Sequence, residues 1–202
     1  MHRLTAAAVA ALLAATPALA QTEAAPEAAP ETAPEATPAT TPDAAPMAEM
    51  SSGAAEAMTA DIAGAEGTPH GTLTAMPTPS GMMHLKIELT DVPQGTYGAH
   101  LHETGLCEGP AFESAGGHLA GEGRDHGVMA ENGPHLGDLP NVHVPESGML
   151  TVEYFVPDLT AEQIVDADGT AFMLHEGMDD LETQPTGDAG GRMACAVLAA
   201  AE

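Results

Sequence analysis

From about residue 57 onward, glycine or proline recurs every several residues, and no window carries a helical stripe longer than three turns. Between these breaks stand stretches of strand length, at residues 82–89, 97–102, 151–156 and 171–175. The run HLKIELT, residues 84–90, alternates apolar and polar side chains cleanly, and LTVEYFV does so less cleanly. The pattern predicts an all-β domain, a sandwich or Greek-key barrel, with some long ordered loops. Residues 103–141 form one such loop region. Loops of that size are commonly functional, or are tied down by a cross-link or a metal.

The chain ahead of this domain has a different character. Met1-His2-Arg3 opens with positive charge, residues 4–15 are apolar apart from Thr5, and Thr16-Pro17-Ala18-Leu19-Ala20 ends in small residues. That is the form of a signal peptide cleaved before Gln21, so export to the periplasm is expected. The run is too short for a membrane span, and no other stretch approaches the roughly 20 apolar residues a span needs. No cysteine follows the cleavage point to carry a lipid. Residues 21–56 are mainly Ala, Pro, Thr and Glu, a composition that predicts an extended linker without a core of its own. Met47, Met50 and Met58 offer soft thioethers, but are read as incidental to a tether. Residues 57–202 remain, enough for one domain.

Charge narrows the partners. From residue 57 there are 23 acidic residues against Lys86, Arg124 and Arg192, a formal balance of −20. Nucleic acid and anionic membrane are thereby disfavoured as partners.

Only two cysteines are present, Cys107 and Cys195, in a chain expected to be exported. Pairing them closes a loop worth roughly 4 to 5 kcal/mol in the chain-entropy picture. The histidines are more telling. Seven of the ten fall between residues 100 and 175. His100 and His102 lie two apart in a strand-like run, which turns both rings to one face. His135 and Asp138, three apart in a loop, can chelate one ion. With His143 set aside as strand-like, the candidates are His100, His102, His118, His126, His135, Asp138 and His175. These seven side chains satisfy two four-coordinate ions only if one imidazole bridges both.

The blocks GAHLHETGLC, SAGGHLAGEGRDHG, PHLGDLPN, LHEGMDD and GDAGGRMACAV resemble, in order and spacing, those of the copper/zinc superoxide dismutases, over residues 57–199. The resemblance implies an immunoglobulin-like Greek-key sandwich or barrel of about eight strands, with long metal-binding and electrostatic loops. It implies one copper per subunit on His100, His102, His118 and His175. It implies one zinc on His118, His126, His135 and Asp138, with His118 as the bridge. Four imidazoles suit Cu(II), and three imidazoles with a carboxylate suit tetrahedral zinc. The implied reaction disproportionates superoxide to dioxygen and hydrogen peroxide, with copper cycling between Cu(II) and Cu(I) and His118 taking up a proton. Asp179 matches a carboxylate joining His100 to His126. Arg192 matches the arginine that pairs with the superoxide anion, and Thr186 the residue narrowing the channel opposite it.

Departures from the pattern are few. Ala99 replaces the usual Phe, and Leu106 stands where Asp is often found, and neither is a ligand. Residues 181–191 form a short segment without lysine, where Glu182 and Asp188 are the acids. His70, His84 and His143 fall outside the constellation. A homodimer is compatible with the resemblance, which does not fix the oligomeric state. Two rival readings stand beside an enzyme: a copper-binding or copper-delivery domain on the same fold, and a structural sandwich with incidental histidines.

Overall fold

The computed structural model describes residues 56–199. The expected leader, and the expected linker up to residue 55, lie outside that range. Eight antiparallel strands are present: β1 (Met58–Gly64), β2 (Pro69–Pro77), β3 (Met83–Leu89), β4 (Gly95–His102), β5 (Asp138–Val144), β6 (Leu150–Val156), β7 (Thr170–His175) and β8 (Arg192–Ala199). Helix among the described residues is confined to a 3-10 turn at Glu113–Ala115 and the four-residue α1 (Ala161–Ile164). None is long or apolar enough to cross a membrane.

The sheet runs in the order β5-β4-β7-β8-β1-β2-β3-β6 and curls into a nearly closed barrel. Its two edges meet where the Tyr154 hydroxyl of β6 donates to the Pro140 carbonyl of β5, at 3.1 Å. The expected all-β fold is what forms. Alternation explains β3: Met83, Leu85, Ile87 and Leu89 are buried in the barrel, while His84, Lys86 and Glu88 face outward. Burying each such apolar side chain contributes about 1.5–3 kcal/mol.

Strands β4 and β7 behave differently, and this difference positions the site. From Tyr97 to His102 and from Thr170 to His175 every residue is buried. Tyr97, Ala99, Leu101, Phe172 and Leu174 fill the barrel. The opposite parity of β7, with Cys195 of β8, packs beneath the long loop, where Ala171, Met173, Cys195, Phe112 and Ala115 make a second small core. The loop, residues 103–137, thus covers one wall of the barrel. It is shorter than expected, because β5 already begins at Asp138. Pro140 masks that strand in the sequence, yet it is exposed at the sheet edge, where a missing N–H costs nothing.

Candidate metal centre

Strand parity sets three of the histidines. His100 and His102 of β4 lie opposite Met173 and Ala171 of β7, so His175, two residues past Met173, shares their outward face. His118 reaches them from the loop through an isolated antiparallel bridge to His102. The four residues each offer a donor atom, all within 4.8 Å of one another. One nitrogen of each ring is fixed by the protein: His100 Nε2 to Asp179 (2.7 Å), His102 Nδ1 to the Gly116 carbonyl (3.1 Å), His118 Nδ1 to Asp138 (2.9 Å) and His175 Nδ1 to the Gly190 carbonyl (3.4 Å). The other nitrogen of each, Nδ1 of His100 and Nε2 of His102, His118 and His175, is buried with no hydrogen-bond partner among the described residues.

A buried polar atom without a partner costs about 1–3 kcal/mol. Four of them in one cluster fit a metal ion. Burial also depresses the basicity of these rings. It lowers His102 to about 2 and His175 to about 3, and lowers His100 in the same direction. At neutral pH they are neutral imidazoles with a lone pair to offer, the form a metal binds.

Next to this set lies a second one, sharing His118. His118, His126, His135 and Asp138 also present donor atoms within 4.8 Å of one another. Nδ1 of His118, His126 and His135 converge on Asp138 Oδ1 at 2.9, 3.1 and 3.3 Å. The other Asp138 oxygen accepts the N–H groups of Gly127 (2.8 Å) and His135 (3.0 Å). Burial works to raise the Asp138 carboxyl, but the imidazoles and the Gly127 N–H outweigh it and hold it well below the usual carboxylate range. At His126 burial opposes positive charge, yet Asp138 and Asp179 raise its pKa to about 9. The surroundings favour a cation at this point, and a divalent ion would supply one in place of the proton. Three imidazoles and a carboxylate make a closed tetrahedral donor set.

Asp179 joins the two sets from behind. Its Oδ2 meets His100 Nε2 at 2.7 Å and its Oδ1 meets His126 Nε2 at 3.0 Å. Those bonds hold each ring's Nδ1 toward its own set. Asn141 of β5 grips the Asp179 main chain twice, at 2.8 and 2.9 Å, and the Leu181 N–H donates to Oδ1. Gln184 clamps the His126 main chain in the same two-handed way, at 2.8 Å each. Gly187 has φ +67°, and a Cβ there would overlap both Asp179 Oδ1 and His126 Nε2, so only glycine fits.

Arg192 opens β8 directly across from His175. Its guanidinium donates to the carbonyls of Phe112 (2.5 Å) and Gly116 (2.6 Å), and the Gly116 carbonyl also meets His102. Three residues on, Cys195 is disulfide-bonded to Cys107, with Cα atoms 5.8 Å apart, which ties the loop bearing both carbonyls to β8. Burial lowers the arginine's pKa and the charge of Glu113 acts to raise it. Arg192 faces a cleft of about 490 Å³. Thr186 is exposed and does not line that cleft.

Known proteins resemble this chain in sequence and fold. The family model for copper/zinc superoxide dismutase (SODC) matches residues 69–198. A Cu-Zn superoxide dismutase of Aquifex aeolicus is 36% identical over 145 residues, covering 69% of this chain and 85% of that protein. One of Caulobacter vibrioides is 35% identical, covering 69% and 84%. This chain belongs to the copper/zinc superoxide dismutase family. A crystal structure of a superoxide dismutase-like protein from Bacillus subtilis superposes with TM-score 0.67 at 33% identity, covering 70% of this chain and 97% of that one.

Within this superoxide dismutase fold, three described histidines stand outside both sets. His84 stacks on Phe155 with ring centroids 5.0 Å apart, and His143 hydrogen-bonds Thr96 at 3.0 Å. His70 is half-buried on β2, with Nδ1 buried and without a hydrogen-bond partner among the described residues. Sequence reasoning missed Gly116, Asn141, Gln184 and Gly187, although each falls in or beside a block that carried the family resemblance. It named Glu182 and Asp188 as the acids of residues 181–191 and did not single out Glu113 or Glu176. The structure lines the cleft with Glu113 and Glu176.

Proposed function

We propose that this chain is an exported superoxide dismutase, with copper held by His100, His102, His118 and His175, and zinc by His118, His126, His135 and Asp138. The observation that carries this reading is the cluster of four unpartnered, buried imidazole nitrogens beside the guanidinium of Arg192. Copper, when bound, supplies the one-electron couple that turns one superoxide into dioxygen and a second into hydrogen peroxide, and zinc has no redox change.

The chain's own residues do the rest. Burial keeps His102 and His175 unprotonated, so no proton competes for their lone pairs. His118 is the one residue common to both sets. Its Nδ1 is engaged on the zinc side, which leaves Nε2 as the atom that can carry a proton toward the peroxide product. Asp179 fixes the tautomers of His100 and His126 together. Arg192 presents positive charge to the superoxide anion, with no carboxylate within 4.0 Å among the described residues to neutralise it. The Cys107–Cys195 bond supports an oxidising compartment, the periplasm, as the place of action.

Metal analysis with a superoxide-decay assay on purified, metal-loaded protein tests the reading. One copper and one zinc per chain with fast decay is the expected result. Full copper without accelerated decay would favour a copper-binding or delivery domain, and no stoichiometric metal a structural one. Recovery in the periplasmic fraction with a new N-terminus near Gln21 checks the export.

A further inference from the structure

The cleft that leads to Arg192 is walled by Pro110, Ala111, Glu113, Glu176, Gly190 and Gly191. Glu113 sits in the 3-10 turn whose preceding residue, Phe112, gives its carbonyl to Arg192. Glu176 directly follows His175, and its main-chain N–H donates to the Gly191 carbonyl at 2.8 Å. Its carboxylate lies over Gly191, where a Cβ would come within 2.7 Å of Oε2. Both acids are exposed, and neither joins a salt bridge or a side-chain hydrogen bond among the described residues. The other cations among the described residues, Lys86 and Arg124, do not line the cleft and are paired with Glu88 at 2.9 Å and Asp158 at 3.1 Å. One guanidinium therefore faces two uncompensated carboxylates in a single cleft.

We propose that Glu113 and Glu176 form a carboxylate gate at the mouth of this cleft, slowing the capture of anions by Arg192. The proposal rests on the superoxide dismutase reading above, and assigns to that reaction two residues that set its rate without touching the metals. The physics is local. The domain's formal charge of −20 is spread over the whole surface, and its distant part is screened beyond a Debye length of roughly 10 Å at 0.1 M salt. Glu113 and Glu176 act inside that length. A single charge about 7 Å from a passing anion in water shifts its local concentration by about two- to threefold before screening. Together the pair holds back capture by about threefold. The same charges turn the salt dependence of the reaction. With the gate present, added salt relieves repulsion, so the rate stays flat or rises. Without it, the attraction of Arg192 is left exposed to screening, and the rate falls as salt is added.

Glutamine keeps the shape of each side chain and removes only the charge. Pulse radiolysis on the metal-loaded enzyme would compare the parent with Glu113→Gln, Glu176→Gln and the double variant, from low to physiological ionic strength. Glu146→Gln serves as the control. Glu146 lies in the β5–β6 turn, beyond the end of a strand that runs about 20 Å from Asp138 to Val144. The double variant should be about threefold faster at low salt and should slow as salt rises, while the control follows the parent. Azide affinity, read by optical titration, should tighten by the same factor with metal content unchanged. An unchanged rate and azide affinity in the double variant would overturn the gate. Arg192→Ala separates the causes: if it is slow while the glutamine variants match the parent, only the gate falls. If Arg192→Ala is as fast as the parent, the role of Arg192 in anion capture falls with it.

Discussion

The two donor sets share His118 yet are built by different means. In the set proposed for copper, His100, His102 and His175 stand on two hydrogen-bonded strands, and the register of β4 with β7 brings them together. In the set proposed for zinc, His118, His126 and His135 come from the long loop, and only Asp138 stands on a strand, at its first residue. Barrel formation alone therefore assembles most of the first set. The second set is assembled by its own contacts: three imidazoles around one carboxylate oxygen, the Asp179 link and the Gln184 clamp. One set is a product of the fold, and the other is part of what folds the loop.

If that contrast holds, the shared ligand should be the most costly to lose. His118→Ala should reduce activity by about a hundredfold or more and perturb both sites, because it removes a donor from each. An unchanged copper spectrum with near-parent activity would end its role as the bridge. Asp179→Asn comes next. Its amide nitrogen cannot accept from a ring N–H, so one of the two histidines loses its orienting partner. Loss of such a partner typically costs 10- to 100-fold in metal affinity. Zinc affinity should fall within that range, measured by competition with a chromophoric chelator, and equal affinity would show that the Asn141 and Gln184 clamps suffice. Arg192→Ala should follow at about tenfold slower superoxide decay, the low end of what a focused charge supplies. Its copper and zinc content should match the parent. Metal loss in that variant would make Arg192 a structural strut for Gly116 and His102 rather than an anion guide.

The contrast also explains what the sequence could disclose. The alternation of residues 84–90 and the two-residue spacing of His100 and His102 are properties of a strand by itself, so both were readable. So was the need for a bridging imidazole, which follows from counting donors. Strands β1, β2, β5 and β8 were not readable as strands. In β5 a proline interrupts the pattern, and β8 buries Ala194, Cys195 and Ala196 in succession, so its alternation disappears. Gly187, Gln184 and Asn141 owe their importance to segments far apart in sequence packing against one another. Gln184 is a loop glutamine until residues 126 and 184 meet. The acids of the cleft were hidden for the same reason: Glu113 is far from Arg192 along the chain and meets it only through the fold.

The smallest expected effect tests the contrast most directly. Removing one ligand from each set should have unequal consequences for the loop. His126 is buried in the loop, its ring faces Asp138 and Asp179, and its main chain is held by Gln184. Cutting it to alanine leaves Asp138 and Asp179 each short of a partner and frees the segment around Asp125 and Gly127. His175 ends β7 between residues already held in the sheet, so its truncation leaves the register of β4, β7 and β8 in place. Local opening of a segment tracks the contacts that close it. The loss of about one net hydrogen bond, about 1 kcal/mol, makes exchange about fivefold faster. In native-state hydrogen exchange, the amides of His126 and Gly127 should therefore exchange about fivefold faster in His126→Ala, while those of Leu101 and Phe172 keep their protection. In His175→Ala the amides of His126 and Gly127 should exchange at the parent's rate. Equal loss of loop protection in the two variants would mean that both sets organise the loop, and that the strands do not assemble the first set alone.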